Sequence, residues 1–338
     1  MVIEINTLLL KDDKKGIQTG AELLKKGGLV AIPTETVYGL AANALDGKAV
    51  LKIFEAKGRA QDNPLIVHIA DWSMIHELTT ELPQQAYKLA KSFWPGPLTL
   101  VLKKSAAIPE TVSCGLSTVG IRIPDNTIAR DLIRACGFPL AAPSANLSGG
   151  VSPTTAEHCI VDLAGRVDGI IDGGSCTVGL ESTVLSLAHD VPVILRPGYI
   201  GQEDIEAVIG PVSMDKTIFG QFTGEVPLAP GMKYKHYSPK AEVIVLKGTK
   251  SQYINYVNQN NGYALCFDED CDELKVPFLS LGSEHDFATQ ASRLFSCLRE
   301  FDQLGAEKIH ARCPGSEGVG LAVYNRLLRA ASFHVIEL

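Results

Sequence analysis

Two cations close a helix-like run at "FEAKGR", with Lys57 and Arg59 separated by one glycine. Such a pair complements the C-terminal dipole of a helix, and it also suits a phosphate. Within four residues come "DNP" and an apolar strand, "LIVHIA", that carries His68. A polar ring there needs a hydrogen-bond partner, from the protein or from a bound ligand. "RIPD" places Arg122 in another apolar strand. An unpaired guanidinium would be costly there, so a carboxylate of the protein or of a ligand must meet it. "APSANLSGG" ends a strand in small residues and offers Ser144, Asn146 and Ser148 beside two glycines, with Ser152 soon after. Small residues let backbone N–H groups approach an anion, although any single "SxN" also suits an ordinary polar turn. "IPTETVYGL" and "LESTVLSL" each send a carboxylate and two hydroxyls into an apolar run: Thr34, Glu35 and Thr36, then Glu181, Ser182 and Thr183. "ILRPG" sets Arg196 at a strand end before a Pro-Gly turn. Together these residues suit phosphates and a carboxylate. No Ser-His-Asp or Cys-His arrangement stands out, and no G-x-x-x-x-G-K-[ST] loop occurs, so a nucleotide would be held by other means.

The elements that carry them alternate. Apolar runs at 29–32, 63–70, 98–102, 118–123, 138–142, 169–174, 182–187 and 191–196 read as strands. Residues 47–59, 84–96, 125–137 and 203–210 read as helices, several ended by Pro or Gly. The chemistry-bearing residues gather at the ends of these elements, and an α/β sheet aligns such ends along one rim. A Pro- and Gly-rich stretch at 211–240 reads as a linker. Strands at 241–246, 262–267, 277–282, 307–313 and 332–338 then alternate with helices at 287–305 and 318–331. This predicts a small three-layer α/β/α, Rossmann-like domain. It lacks a G-x-G-x-x-G after its first strand, so dinucleotide binding there is unsupported.

The 338 residues favour two domains, 1–210 and 241–338 about the linker. The net charge is −7 and acids outnumber bases in both halves, which argues against non-specific nucleic-acid binding as the main task. The eight cysteines form no CxxC pair. They read as reduced thiols of a cytoplasmic protein rather than a disulfide frame or zinc site. No basic, apolar leader opens the chain, and no apolar run is long enough to span a membrane.

Taken in order, "PTETVYGL", "KGR", "NPLIVH", "PLTLVL", "IRIP", "APSANLSG", "ESTV" and "ILRPG" resemble the motif series of the YrdC-type threonylcarbamoyl-AMP synthases, over roughly residues 15–210. "PGMKYKHYSP" followed by an α/β tail resembles the longer, two-domain branch of that family. The resemblance implies a large twisted mixed sheet with a concave open face in the first domain. It implies an enzyme, a nucleotidyltransferase joining L-threonine, bicarbonate or CO₂, and ATP with Mg²⁺ into threonylcarbamoyl-AMP and pyrophosphate. A downstream transferase complex would then modify an adenosine beside a tRNA anticodon. By motif, Thr36, His68, Arg122 and Ser182 would bind threonine, Arg122 at its carboxylate, with Thr34 lining the pocket. Arg59, Asn63, Thr118, Ser144, Asn146, Ser152 and Arg196 would hold ATP. Lys57 would neutralise phosphates at the reacting centre with Arg59, and Tyr38 would serve packing. The linker would fold over the cavity, bringing Tyr234 and His236 to the nucleotide, so that deleting 231–238 would cripple the reaction.

Two rival readings are weighed against this one. A carbamoyl-adenylate-forming carbamoyltransferase shares the catalytic domain, but as a family adds Cys-rich zinc segments that this chain lacks. A non-catalytic RNA-binding module, with tRNA contact on a concave surface, is disfavoured by the acidic balance.

Overall fold

The computed structural model describes residues 6–220 and 237–338. The first sheet contains β1 (Leu8–Lys11), β2 (Val30–Ile32), β3 (Gly39–Asn43), β4 (Ile66–His68), β5 (Leu98–Lys103) and β6 (Thr118–Arg122). It continues with β7 (Leu140–Ala141), β8 (Gly169–Asp172), β9 (Thr183–Ser186), β10 (Val193–Arg196) and β11 (Ser213–Met214). Their spatial order is β1-β8-β2-β3-β7-β4-β6-β5-β9-β10-β11, with parallel and antiparallel pairs mixed. Helices cover both faces. Val50, Ile53 and Phe54 of the helix Gly47–Lys57 pack on Leu40, Val67, Leu100 and Ile121. Leu24, Leu132 and Ile133 pack on Ile32, Ala41, Leu140 and Ile171 opposite. Each large side chain so buried contributes about 2 kcal/mol.

The second sheet is wholly parallel: β12 (Glu242–Lys247), β13 (Tyr263–Cys266), β14 (Phe278–Ser280), β15 (Lys308–Arg312) and β16 (Val335–Glu337), in the order β14-β13-β15-β12-β16. The helix Lys250–Gln259 covers one face, through Tyr253, Ile254 and Val257. The helices Phe287–Gln303 and Gly318–Ala330 cover the other, which gives the expected three layers. No helix among the described residues is long and apolar enough to cross a membrane.

Several elements differ from the sequence reading. Ser213–Met214, inside the stretch read as linker, pairs with β10 and extends the first sheet. The strand read at 63–70 is ordered as strand only over Ile66–His68; its start is delayed because Pro64 supplies no N–H to a ladder. A helix not among those read above spans Ala156–Leu163, where the Thr155 side chain accepts from the His158 amide at 3.4 Å. The two units press closely together at Gly179. Its φ of 78° is left-handed, and a Cβ there would lie 2.5 Å from the Ser292 Cα on the helix Phe287–Gln303.

Candidate active site

Register brings the polar ends together. His68 at the end of β4 sits beside Arg122 at the end of parallel β6, and beside Leu140 of antiparallel β7. β5 runs antiparallel to β6 and parallel to β9, so the start of β9, next to Ser182, lies across the Leu98–Thr99 end of β5 from the Arg122 end of β6. A register irregularity between Ile194 and Arg196 re-aims the end of β10. Gly198 permits the turn that follows, since a Cβ there would fall 2.3 Å from the Thr183 amide nitrogen.

Between these ends lies a cavity of about 60 Å³. Of the residues singled out from sequence, Thr34, Thr36, Arg59, His68, Arg122, Ser144, Ser182 and Arg196 line it. Glu181 and Tyr237 join them. Lys57, Asn63, Asn146 and Ser152 are buried behind the wall, and Thr118 starts β6 at the opposite end from Arg122, about 13 Å along the strand. Tyr234 and His236 lie outside the described residues.

The opening threonines form a directed chain. Arg122 Nη1 donates to Thr36 Oγ1 at 2.9 Å, and Thr34 Oγ1 donates to the Val37 carbonyl at 2.7 Å. Thr34 and Thr36 hydroxyls are 2.8 Å apart; with Thr34's proton spent, Thr36 is the donor. Arg122 Nη2 meets Glu35 Oε2 at 3.1 Å. Tyr38 is fully buried, donating to the Gly174 carbonyl at 2.7 Å and accepting from the Gly173 amide at 3.1 Å. Burial pushes its hydroxyl above the usual phenol range.

Arg59 is launched by a helix end. Gly58 takes the left-handed conformation, φ 62°, and the Arg59 amide donates to Phe54 O at 2.9 Å. Arg59 Nη2 then donates to the Asn63 carbonyl at 3.0 Å. Burial lowers its pKa to about 10, so it stays protonated at neutral pH. Lys57 Nζ donates to the backbone carbonyls of Ser144 and Asn146 and so clamps the "PSAN" loop from behind. Burial and then Arg59 hold that lysine well below its ordinary pKa. The loop is further fixed by Ser144 Oγ donating to Asn146 Oδ1 at 2.6 Å, and by Asn146 Nδ2 donating to the carbonyls of Leu147 and Gly150.

At the other wall, Arg196 Nε donates to the Ser182 carbonyl at 3.1 Å and Nη2 to Ser182 Oγ at 3.3 Å. Ser182 Oγ is also 2.8 Å from Thr99 Oγ1. Ser152 donates to Glu181 Oε1 at 2.5 Å. Burial pushes the Glu181 carboxyl up, but Arg326 and Arg196 outweigh it and hold the pKa below the usual range. Glu181 and Glu35 escaped the sequence assignment; the signal was a carboxylate flanked by hydroxyls in a buried run, which demands a cation. Tyr237 enters from the end of the linker, stacked on Phe295, while the Ser238 amide donates to the Gly149 carbonyl at 3.1 Å.

Some capacity is unspent. Among the described residues, buried Arg59 Nε, Arg122 Nε, His68 Nδ1, Glu35 Oε1 and both polar atoms of the Asn63 amide have no hydrogen-bond partner. His68 is held neutral, its pKa lowered to about 3 by burial and then by Arg122. Three guanidinium groups and an array of hydroxyls thus face a cavity suited to small anions.

Residues 22–198 match a family described as "Telomere recombination", and residues 200–332 match "Threonylcarbamoyl-AMP synthase, C-terminal domain". The chain is 49% identical over 327 residues to the threonylcarbamoyl-AMP synthase of Bacillus subtilis, covering 95% of this chain and 94% of that one. It is 44% identical to the synthase of Pyrococcus abyssi, over 95% and 96% of the two chains. The crystal structure of P. abyssi Sua5 complexed with L-threonine superposes with a TM-score of 0.90 at 42% identity, covering 98% of this chain and 99% of that one. Matched in both halves and along nearly its whole length, the chain belongs to the threonylcarbamoyl-AMP synthase family.

Proposed function

We infer that this chain makes L-threonylcarbamoyl-AMP and pyrophosphate from L-threonine, bicarbonate or CO₂, and ATP. The observation that carries this reading is the convergence of Arg59, Arg122 and Arg196 with Thr36, Ser144 and Ser182 on one cavity. In this reading threonine lies against Thr34, Thr36, His68, Arg122 and Ser182. Arg122 offers its unspent Nε to the carboxylate while Glu35 and Thr36 fix the guanidinium plane. The triphosphate lies toward Arg59, Ser144 and Arg196, and brings its magnesium with it as part of the substrate. Thr118 sits at the far end of β6, where only an extended reactant such as a nucleotide would reach it.

The amine of threonine takes up CO₂ as its N–C bond forms and a proton leaves. A carbamate oxygen then attacks the α-phosphorus, the bond to the bridging oxygen breaks, and pyrophosphate departs with the electron pair. Charge grows on phosphoryl oxygens, where the fixed guanidinium groups stabilise it. With a pKa of about 3, His68 is too weak a base to draw the amine's proton at neutral pH. It serves as a neutral hydrogen-bonding group. Positioning and electrostatics carry the rate. The adenylate then passes, in the cytoplasm, to a transferase that modifies tRNA.

The test is incubation with MgATP, bicarbonate and each of several amino acids, with mass detection of the acyl-adenylate. Pyrophosphate release that depends on both threonine and bicarbonate is expected. Release indifferent to the amino acid would defeat the assignment.

A further inference from the structure

The second unit reaches into the site. Its helix Gly318–Ala330 buries Asn325, Arg326 and Arg329 among apolar residues. Arg326 is fully buried, the largest such side chain, and every polar edge of it is engaged. Nε donates to Glu181 Oε2 at 2.9 Å, and Nη2 donates to the Glu181 carbonyl at 3.3 Å. Nη1 donates to the Pro197 carbonyl at 2.7 Å and to Asn325 Oδ1 at 3.2 Å. Its guanidinium carbon lies 5.6 Å from the ring centre of Tyr237. One side chain therefore grips the residue before Ser182, the residue after Arg196, and the aromatic ring at the end of the linker. Glu181, Ser182, Arg196 and Tyr237 all line the cavity. Glu181 is left with Oε1 for the hydroxyl of Ser152.

A buried ion pair is poor evidence of a stabilising purpose, because an apolar pair of like volume usually does as well. What an apolar pair cannot do is fix the direction of a carboxylate that in turn fixes a hydroxyl. We propose that Arg326 is a positioning residue for the nucleotide side of the site, acting through Glu181 on Ser152 and through Pro197 on Arg196. This rests on the reading above, in which the triphosphate lies toward Arg196, and on the family resemblance, which puts Ser152 beside the nucleotide. Arg326 does not line the cavity. It makes the C-terminal unit part of the adenylating machinery.

The experiment uses the full chain with Arg326→Gln and Arg326→Lys, following threonine-dependent pyrophosphate release while MgATP and threonine are varied in turn. Melting curves report the folded fraction. With Arg326→Gln the KM for MgATP should rise about tenfold or more, against about twofold for threonine. Arg326→Lys should fall between, since one ammonium can reach Glu181 but cannot also fork to Pro197. Should the glutamine variant fail to fold, the lysine variant carries the test. Folded variants with an unchanged ATP requirement, or with equal rises for both reactants, would overturn the proposal while leaving the activity standing. A parent chain that releases no pyrophosphate would instead overturn the activity itself.

Discussion

Arg122 and Glu35 meet at 3.1 Å with 3% and 5% of their side chains exposed, so the guanidinium that sequence left between two partners has a carboxylate of its own chain. Glu35 uses Oε2 for this, and Thr36 takes the other guanidinium arm. The pair holds a cation at the cavity wall without filling the cavity.

Arg122→Ala should therefore raise the threonine requirement at least about tenfold more than the ATP requirement. An equal loss for both reactants in steady-state kinetics would remove the carboxylate-binding role. Glu35→Gln leaves a buried guanidinium without its countercharge and should cost about 3 kcal/mol in urea unfolding.

His68 gives a pH dependence of stability with a definite sign. Its folded pKa is about 3, against about 6.5 when unfolded, so between these values the unfolded chain binds more protons. Stability is then intact above about pH 6.5 and falls as pH is lowered toward 3, by roughly 3 kcal/mol at pH 4.5 from this residue alone. Urea midpoints of the parent at pH 7 and 4.5, compared with those of His68→Asn, isolate the effect. A parent and variant with parallel curves would show that the imidazole is not buried neutral.

Lys57→Met removes two hydrogen bonds to the carbonyls of Ser144 and Asn146. A cost of about 2 kcal/mol is expected, with faster amide exchange at Ala145 and a several-fold rise in the KM for ATP. Unchanged exchange at Ala145 would mean that the clamp does not hold the loop.

Tyr38→Phe strips the contacts to Gly173 and Gly174 and should lower stability by about 1–2 kcal/mol. Kinetic constants should stay within about twofold of the parent. A larger kinetic effect would place the phenol in the chemistry rather than the packing.

What could be read in advance followed from local signals. β5, β6 and β12 announce themselves as β-branched or leucine-rich runs, and the helices Phe287–Gln303 and Gly318–Ala330 by their period. β3 did not, because "GLAAN" holds small residues that favour no strand. β7 has two residues, too few for any period. In the site, the cavity-lining residues were visible as polar groups at element ends. Their partners were not: Ser152 to Glu181 spans 29 positions, and Arg326 to Glu181 spans 145. The partners of Lys57 were hidden for a related reason, since a lysine beside an anion-binding loop and one clamping that loop look alike until the carbonyls are placed.

The seam at Gly179 bears on how the molecule works over a cycle. Arg299 adds to it, forking onto Asp162 at 2.7 and 3.2 Å and reaching the carbonyls of Val151 and Ser152. Swinging the halves apart would tear buried charges from their mates and open a joint that has no side chain to cushion it. Passage of reactants by local rearrangement is the expected outcome, and a covalent staple across this joint should leave turnover running.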